Sequence, residues 1–203
     1  MNALDKAASQ MSGVWAMAFD LDGWRERLDR SAEGVFGSFN AVFITAPLIA
    51  LYSITARRAA QRMPDHAESI YNIAPPALLV IGDLILFAID WGAGLVLLIM
   101  LSRSLGAQKS AGALIVGYNW SQPVTTAIQL PPIALAAATA SPSVAGLLGF
   151  PALALAIAIL WGVVRRGLSV AVGPAAAVVA MLIVASAVIR ALGGEALRAL
   201  IAA

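Results

Sequence analysis

After residue 34 the chain is an almost continuous series of apolar residues, interrupted at intervals by arginine and by short polar stretches. A membrane-spanning helix needs ~20 predominantly apolar residues. Five segments of about this length fit between the interruptions, at residues 35–56, 75–101, 111–134, 144–164 and 168–189. The pattern therefore predicts an all-α integral membrane bundle of five transmembrane helices, in which short connections make neighbouring helices antiparallel.

The first 33 residues follow a different pattern, in which apolar residues recur at helical spacing among many charged ones. The apolar stretch near residues 14–19 is too short for a secretory signal and is followed by acids and arginines. We expect residues 1–33 to form an N-terminal interfacial segment with an amphipathic helix, and residues 34–203 to form the transmembrane domain. Trp15 and Trp24 are predicted to anchor this helix at the headgroups. A solvated helix packed on the loops is the alternative.

Composition supports a membrane location and makes several kinds of chemistry and partner unexpected. Of 203 residues, 61% are hydrophobic and 12% are charged, whereas soluble domains have roughly 25% charged residues. The net charge of +2 comes from scattered arginines, so nucleic acid is not an expected partner. The absence of Cys excludes disulfides and thiolate chemistry. His66 is the single histidine and has no second nitrogen or sulfur ligand nearby in sequence, so we expect no metal site and no cofactor.

Lys and Arg distribution predicts the orientation of the chain. With five spans, the N-terminal segment and the second and fourth connections share one side, which carries Lys6, Arg25, Arg27, Arg30, Arg103, Lys109, Arg165 and Arg166. The other side carries Arg57, Arg58, Arg62, Arg190 and Arg198. Because Lys and Arg accumulate in cytoplasmic loops, we predict a cytoplasmic N-terminus and a periplasmic C-terminus. High Ala and Gly content favours a bacterial inner membrane.

Two aspartates lie on one face of the second predicted span. Asp83 and Asp90 are seven residues apart. An acid at the bilayer centre costs about 2.5–3.5 kcal/mol, so each needs a partner, a wet cavity or a proton. A polar stripe on the third span should face them, formed by Asn119, Gln122, Thr126 and Gln129. We expect Asp90 to meet Asn119 or Gln122, and Asp83 to meet Thr126 or Gln129.

This polar layer has two interpretations. In the first, the aspartates are protonated and donate hydrogen bonds that fix the register of the helices. In the second, they titrate along a proton or cation path; no basic residue lies in the middle of any predicted span to pair with them. Pro123, with Pro131 and Pro132, is expected to kink the third span and free backbone carbonyls beside the stripe.

The five-pass layout and the stretch Gly117–Ser121 (GYNWS), followed by Pro123, resemble bacterial members of the Yip family of membrane proteins. The resemblance implies a non-enzymatic integral membrane protein. We therefore predict a membrane-organising or accessory subunit whose partners are the lipid bilayer and other membrane subunits or further copies of itself. The alternative is a small proton- or ion-coupled transport protein that uses Asp83 and Asp90.

Overall fold

The computed structural model describes residues 3–63 and 69–202, and within these residues every regular element is helical. The predicted all-α fold is thereby confirmed. His66 lies outside the described residues. The helices are α1 (Ala3–Ala18), α2 (Trp24–Arg27), α3 (Ala32–Ser38), α4 (Ala41–Arg62), α5 (Ile70–Ile73), α6 (Pro76–Ser104), α7 (Ala111–Thr139), α8 (Pro142–Leu168) and α9 (Val172–Ala202). A short 3-10 turn, Gln108–Ser110, joins α6 to α7.

Four helical segments of the described chain are long and apolar enough to cross a membrane: Ala32–Arg62, Pro76–Ser104, Pro142–Leu168 and Val172–Ile201. They correspond to the first, second, fourth and fifth predicted spans. Helix α7 has 29 residues, which is sufficient length, but its amides, hydroxyls and prolines make it less apolar than the others. By length and hydropathy, four helical segments of the described chain are therefore candidate spans. The packing of α7 bears on whether it is a fifth span.

Helix α7 lies at the centre of the bundle, where it contacts α1, α3, α4, α6 and α8. Near the end of α7, Arg62 of α4 donates hydrogen bonds to the carbonyls of Ala137 at 2.6 Å and Ala138 at 3.1 Å. Near its beginning, Lys109 lines the same cavity as Arg166 at the end of α8. Helix α7 consequently runs the length of α8 in the opposite direction, and its polar residues are surrounded by other helices.

Helix α1 packs directly on the bundle. Val14 and Met17 are fully buried, and Arg166 of α8 donates a hydrogen bond of 2.9 Å to the carbonyl of Ala18. Trp15 remains 41% exposed, whereas Trp24 is only 5% exposed. Trp24 is thus mostly covered by protein, whereas Trp15 is partly exposed; the interfacial position of α1 and the anchoring roles of both residues stay predictions.

Arginine does not end the helices, contrary to the span ends predicted at residues 56, 101, 164 and 189. Helix α4 continues through Arg57 and Arg58 to Arg62, and α6 continues through Arg103 to Ser104. The same holds for α8 and α9.

Helix α8 includes Arg165 and Arg166 in its last turn, where cations interact favourably with the helix dipole. It ends at Ser169, which adopts a left-handed conformation with φ 55°. Helix α9 likewise continues beyond Arg190 to Ala202. Arg190 therefore lies within α9 and not in a loop after it.

Candidate functional site

A cavity of about 440 Å³ lies between α4, α5, α6, α7, α8 and α9, and we call it the polar cavity. Most of the polar layer predicted from the sequence lines it: Asp83, Asp90, Gln122, Thr126 and Gln129. Asn119 does not. Thr125, Tyr52, Tyr71 and Arg190 also line the cavity, although the sequence pattern did not indicate them. At these positions the side chains of α6 and α7 therefore face each other across the polar cavity and are not in direct contact.

Asp83 accepts hydrogen bonds from hydroxyl groups. Its Oδ2 atom accepts from Ser53 Oγ of α4 at 2.5 Å and from Tyr71 Oη of α5 at 3.4 Å. Thr126 and Gln129, which were predicted to meet Asp83, line the same cavity, while the hydrogen bonds of Asp83 go to Ser53 and Tyr71. Burial, and then the neighbouring Asp83 carboxylate, raise the pKa of Tyr71, which keeps its phenol protonated as a donor. Within the described chain no Lys or Arg forms an ion pair with Asp83.

Asp90 is paired with α9 instead of α7. Its Oδ2 atom accepts a hydrogen bond from Ser186 Oγ at 2.8 Å and lies 3.3 Å from Arg190 Nη2. The predicted partners Asn119 and Gln122 were wrong, and so was the absence of a counter-charge. Ser186 and Arg190 are one helical turn apart on α9. Continuing the helical pattern past Arg190 would have revealed this polar face in the sequence.

Asn119 joins three helices outside the polar cavity. Its side chain is fully buried, accepts a hydrogen bond of 2.9 Å from Trp91 Nε1 of α6, and donates one of 2.8 Å to Ser38 Oγ of α3. Nearby, Tyr118 packs so closely against Gly94 of α6 that a Cβ there would lie 2.1 Å from the phenol oxygen. These contacts hold α6 and α7 together beside the cavity, and the Asn119 amide bonds to Trp91 and Ser38 and not to either aspartate.

Helix α7 is continuous through Pro123, Pro131 and Pro132, and the predicted kink stays a prediction. Pro123 is buried and provides no N–H to the carbonyl one turn earlier. Side chains around it bond to the neighbouring carbonyls: Ser121 Oγ to Tyr118 at 2.7 Å, and Thr125 Oγ1 to Ser121 at 2.9 Å. These hydroxyl groups add second hydrogen bonds to helix carbonyls before Pro123, as Ser and Thr do inside helices.

No family model, curated protein or solved structure matches this chain. The resemblance to the Yip family accordingly stays a prediction. Among the residues that the structure describes, no three His, Cys, Asp or Glu side chains lie together as a metal site would require. The chemistry that this arrangement offers is the binding of a proton, a cation or a small polar solute by carboxylates, amides and hydroxyls.

Proposed function

We propose that this protein is a non-enzymatic integral membrane protein of five spans that binds a proton or a small cation at Asp83 during ion-coupled transport. The observation that carries the proposal is the contrast between the two acids. Asp90 has a guanidinium partner, whereas Asp83 lines the polar cavity with hydroxyl partners only. An ionisable residue inside a membrane indicates a functional site by default.

The packing of α7 supports a fifth span. Its start lies beside the end of α8, and its own end lies beside the end of α4. A helix that joins opposite ends of membrane-spanning neighbours crosses the same hydrophobic layer. Polar residues on such a helix are tolerated where they face protein or a water-filled cavity. Gln122, Thr126 and Gln129 satisfy that condition by lining the polar cavity.

The charges around the cavity favour a positive ligand. Two carboxylates and one guanidinium line it, so a negative charge is in excess when all three groups are ionised. Asp83 is faced by Ser53 from α4, Tyr71 from α5 and the more distant Arg190 from α9. Hydroxyl and carboxylate oxygens together provide the ligands that hard cations bind. A proton on Asp83 neutralises the same charge.

The Asp90–Arg190 pair has a structural role in this proposal. It joins α6 to α9 beside the cavity, and Ser186 supplies a further donor to the same oxygen. Pairing offsets the cost of placing each charge among apolar helices. The cytoplasmic N-terminus and the bacterial inner membrane belong to the same proposal, supported by the Lys and Arg distribution.

The proposal is tested with the full chain reconstituted in proteoliposomes. Internal pH is followed with a trapped pH-sensitive dye while a valinomycin-clamped K⁺ gradient sets the membrane potential, with and without Na⁺. We expect a flux in the parent protein that Asp83→Asn reduces roughly tenfold or more, because Asn can neither take up a proton nor carry a charge. Asp22→Asn is the matched control, since Asp22 is an exposed acid outside the cavity.

Equal fluxes in the parent and Asp83→Asn between about pH 5 and 8 contradict the proposal. A parent protein without flux that instead co-purifies stoichiometrically with a larger membrane complex favours the accessory-subunit function.

A further inference from the structure

A second cavity, of about 510 Å³, lies at the end of the bundle where α7 begins and α8 ends, and we call it the basic cavity. Its walls come from three parts of the chain that are distant in sequence: residues 24–31, residues 109–113 and residues 166–169. It shares no lining residue with the polar cavity. The fold therefore assembles this cavity independently of the proposed transport site.

Cationic side chains dominate the lining of the basic cavity. Arg25, Arg30, Lys109 and Arg166 line it, against a single carboxylate, Asp29. That carboxylate is occupied by Ser31, whose hydroxyl donates to Asp29 Oδ1 at 2.6 Å and whose backbone N–H donates at 3.1 Å. Arg166 is paired with Asp20 at 2.9 Å. No described carboxylate forms an ion pair with the other three cations, so they are available to a ligand.

Two further features of the basic cavity favour a negatively charged ligand: the contacts of its arginines with Trp24, and the start of α7. The guanidinium of Arg25 lies 4.4 Å from the centre of the Trp24 ring, and that of Arg30 lies 6.0 Å from it. Such contacts leave guanidinium N–H groups able to donate hydrogen bonds. Gly112 and Ala113 in the first turn of α7 also line the cavity, and no side chain caps this helix at Ser110. The N-terminus of a long helix adds a positive partial charge, although the N–H of its first residue, Ala111, already donates to the Gln108 carbonyl.

We infer that the basic cavity binds the phosphate group of an anionic ligand, and that the headgroup of an anionic phospholipid is its source. Arginines, a lysine and the start of a helix together form a recognition site for phosphate oxygens. The cavity lies at the end of α8, one of the apolar helices long enough to cross a membrane, so it faces the headgroups when α8 spans a bilayer. Basic pockets between membrane helices bind such headgroups. A free phosphate ion carries the same phosphate oxygens and is the alternative ligand.

Native mass spectrometry of the full chain in a zwitterionic detergent tests this inference by titration with phosphatidylglycerol. Phosphatidylcholine and inorganic phosphate are measured in parallel. We expect phosphatidylglycerol to bind more tightly than phosphatidylcholine, and Arg30→Gln and Lys109→Gln each to weaken it about fivefold. Arg103→Gln is the matched control, because Arg103 is exposed near the same end of the bundle but does not line the cavity. The charge-preserving pair Arg30→Lys with Lys109→Arg should retain binding, which separates lost charge from lost folding.

Three results are decisive. Preferential phosphatidylglycerol binding that depends on Arg30 and Lys109 supports the lipid as the source of the phosphate. Phosphate binding that requires the same residues, without preference for the anionic lipid, supports a free phosphate in the same site. The inference is wrong if phosphatidylglycerol binds no better than phosphatidylcholine and phosphate has no effect, or if Arg103→Gln weakens binding as much as the cavity variants do.

Discussion

Gly162 lies at the closest approach between α1 and α8. A Cβ atom at this position would be 2.1 Å from the carbonyl oxygen of Ala18 and 2.6 Å from its Cα atom. Both atoms belong to the backbone, so no side-chain rotation relieves the clash. The absence of a side chain at Gly162 therefore allows the end of α1 to reach Arg166, which bonds to the same Ala18 carbonyl.

Gly162→Ala should separate α1 from α8 and destabilise the protein by about 1–3 kcal/mol, as overpacked sites do. The free energy of unfolding, measured by titrating the protein in mixed micelles with SDS, gives this value. Gly149→Ala on the same helix is the control, since a Cβ there meets no atom within 4 Å. Equal stability of the two variants contradicts the docking of α1 described above.

Asp20 offers a second test of the same contact through its charge. The Arg166 side chain donates a hydrogen bond to Asp20, and together with its positive charge lowers the pKa of that carboxyl. Because the folded-state pKa is lowered, the pair stabilises the fold above the unfolded-state pKa of about 3.9. The contribution is lost as pH falls through the folded-state value.

Asp20→Asn should therefore give a slightly lower Tm than the parent near neutral pH, and the difference should shrink to zero in strong acid. Asn suits the left-handed backbone at this position, where φ is 57°, so the variant isolates the loss of charge. Melting curves of both proteins across the pH range measure the effect, with Asp22→Asn as the control. A Tm difference that persists unchanged in acid would show that the charge of Asp20 does not stabilise the fold.

Among the helices, α7 is the one whose position in the membrane decides the topology. If α7 crosses the membrane, its two ends lie on opposite sides, and the cysteine-free chain makes this directly measurable. We expect Gln108→Cys and Thr139→Cys, both exposed and at opposite ends of α7, to react with a membrane-impermeant thiol reagent from opposite sides. Labelling of both positions from the same side contradicts the five-span topology.

The helices show which structural features could be predicted from the sequence. A helical period identifies the residues that share a face, and the acids of α6 line one cavity with Gln122, Thr126 and Gln129 of α7, without Asn119. It does not identify which neighbour each face contacts, and Asp90 pairs with α9. The predicted span ends before Arg190, whereas α9 continues past it and brings the guanidinium to Asp90.

The first helix shows a related ambiguity. An apolar face packs equally well against hydrocarbon and against a protein groove, so the same spacing of residues predicts an interfacial helix and a docked one. The α1 face that contains Val14 and Met17 is buried against α7 and α8, while the position of α1 at the headgroups stays a prediction. Close approach at a glycine such as Gly162 is the sequence signal that could have indicated docking, but many glycines in membrane helices have no such contact.

Taken together, the helices enclose two cavities of opposite character. The polar cavity has excess carboxylate and lies among the apolar helices, while the basic cavity has excess cation and lies at one end of the bundle. Arg190 is the one cation that lines the polar cavity and it is paired with Asp90, so in the proposal a ligand or a proton neutralises the charge of Asp83. The transport proposal requires in addition that the polar cavity admit water.

Water access to the polar cavity is tested most directly by thiol labelling at two adjacent positions of α7 in native membranes. Thr126 lines the cavity, whereas Ala127 is exposed on the outer surface of the helix. A hydrophilic, membrane-impermeant methanethiosulfonate should modify Thr126→Cys and leave Ala127→Cys unmodified, because thiolates form in water and not in hydrocarbon. An unreactive Thr126→Cys, or equal modification of both variants, would contradict a water-accessible ion site at Asp83.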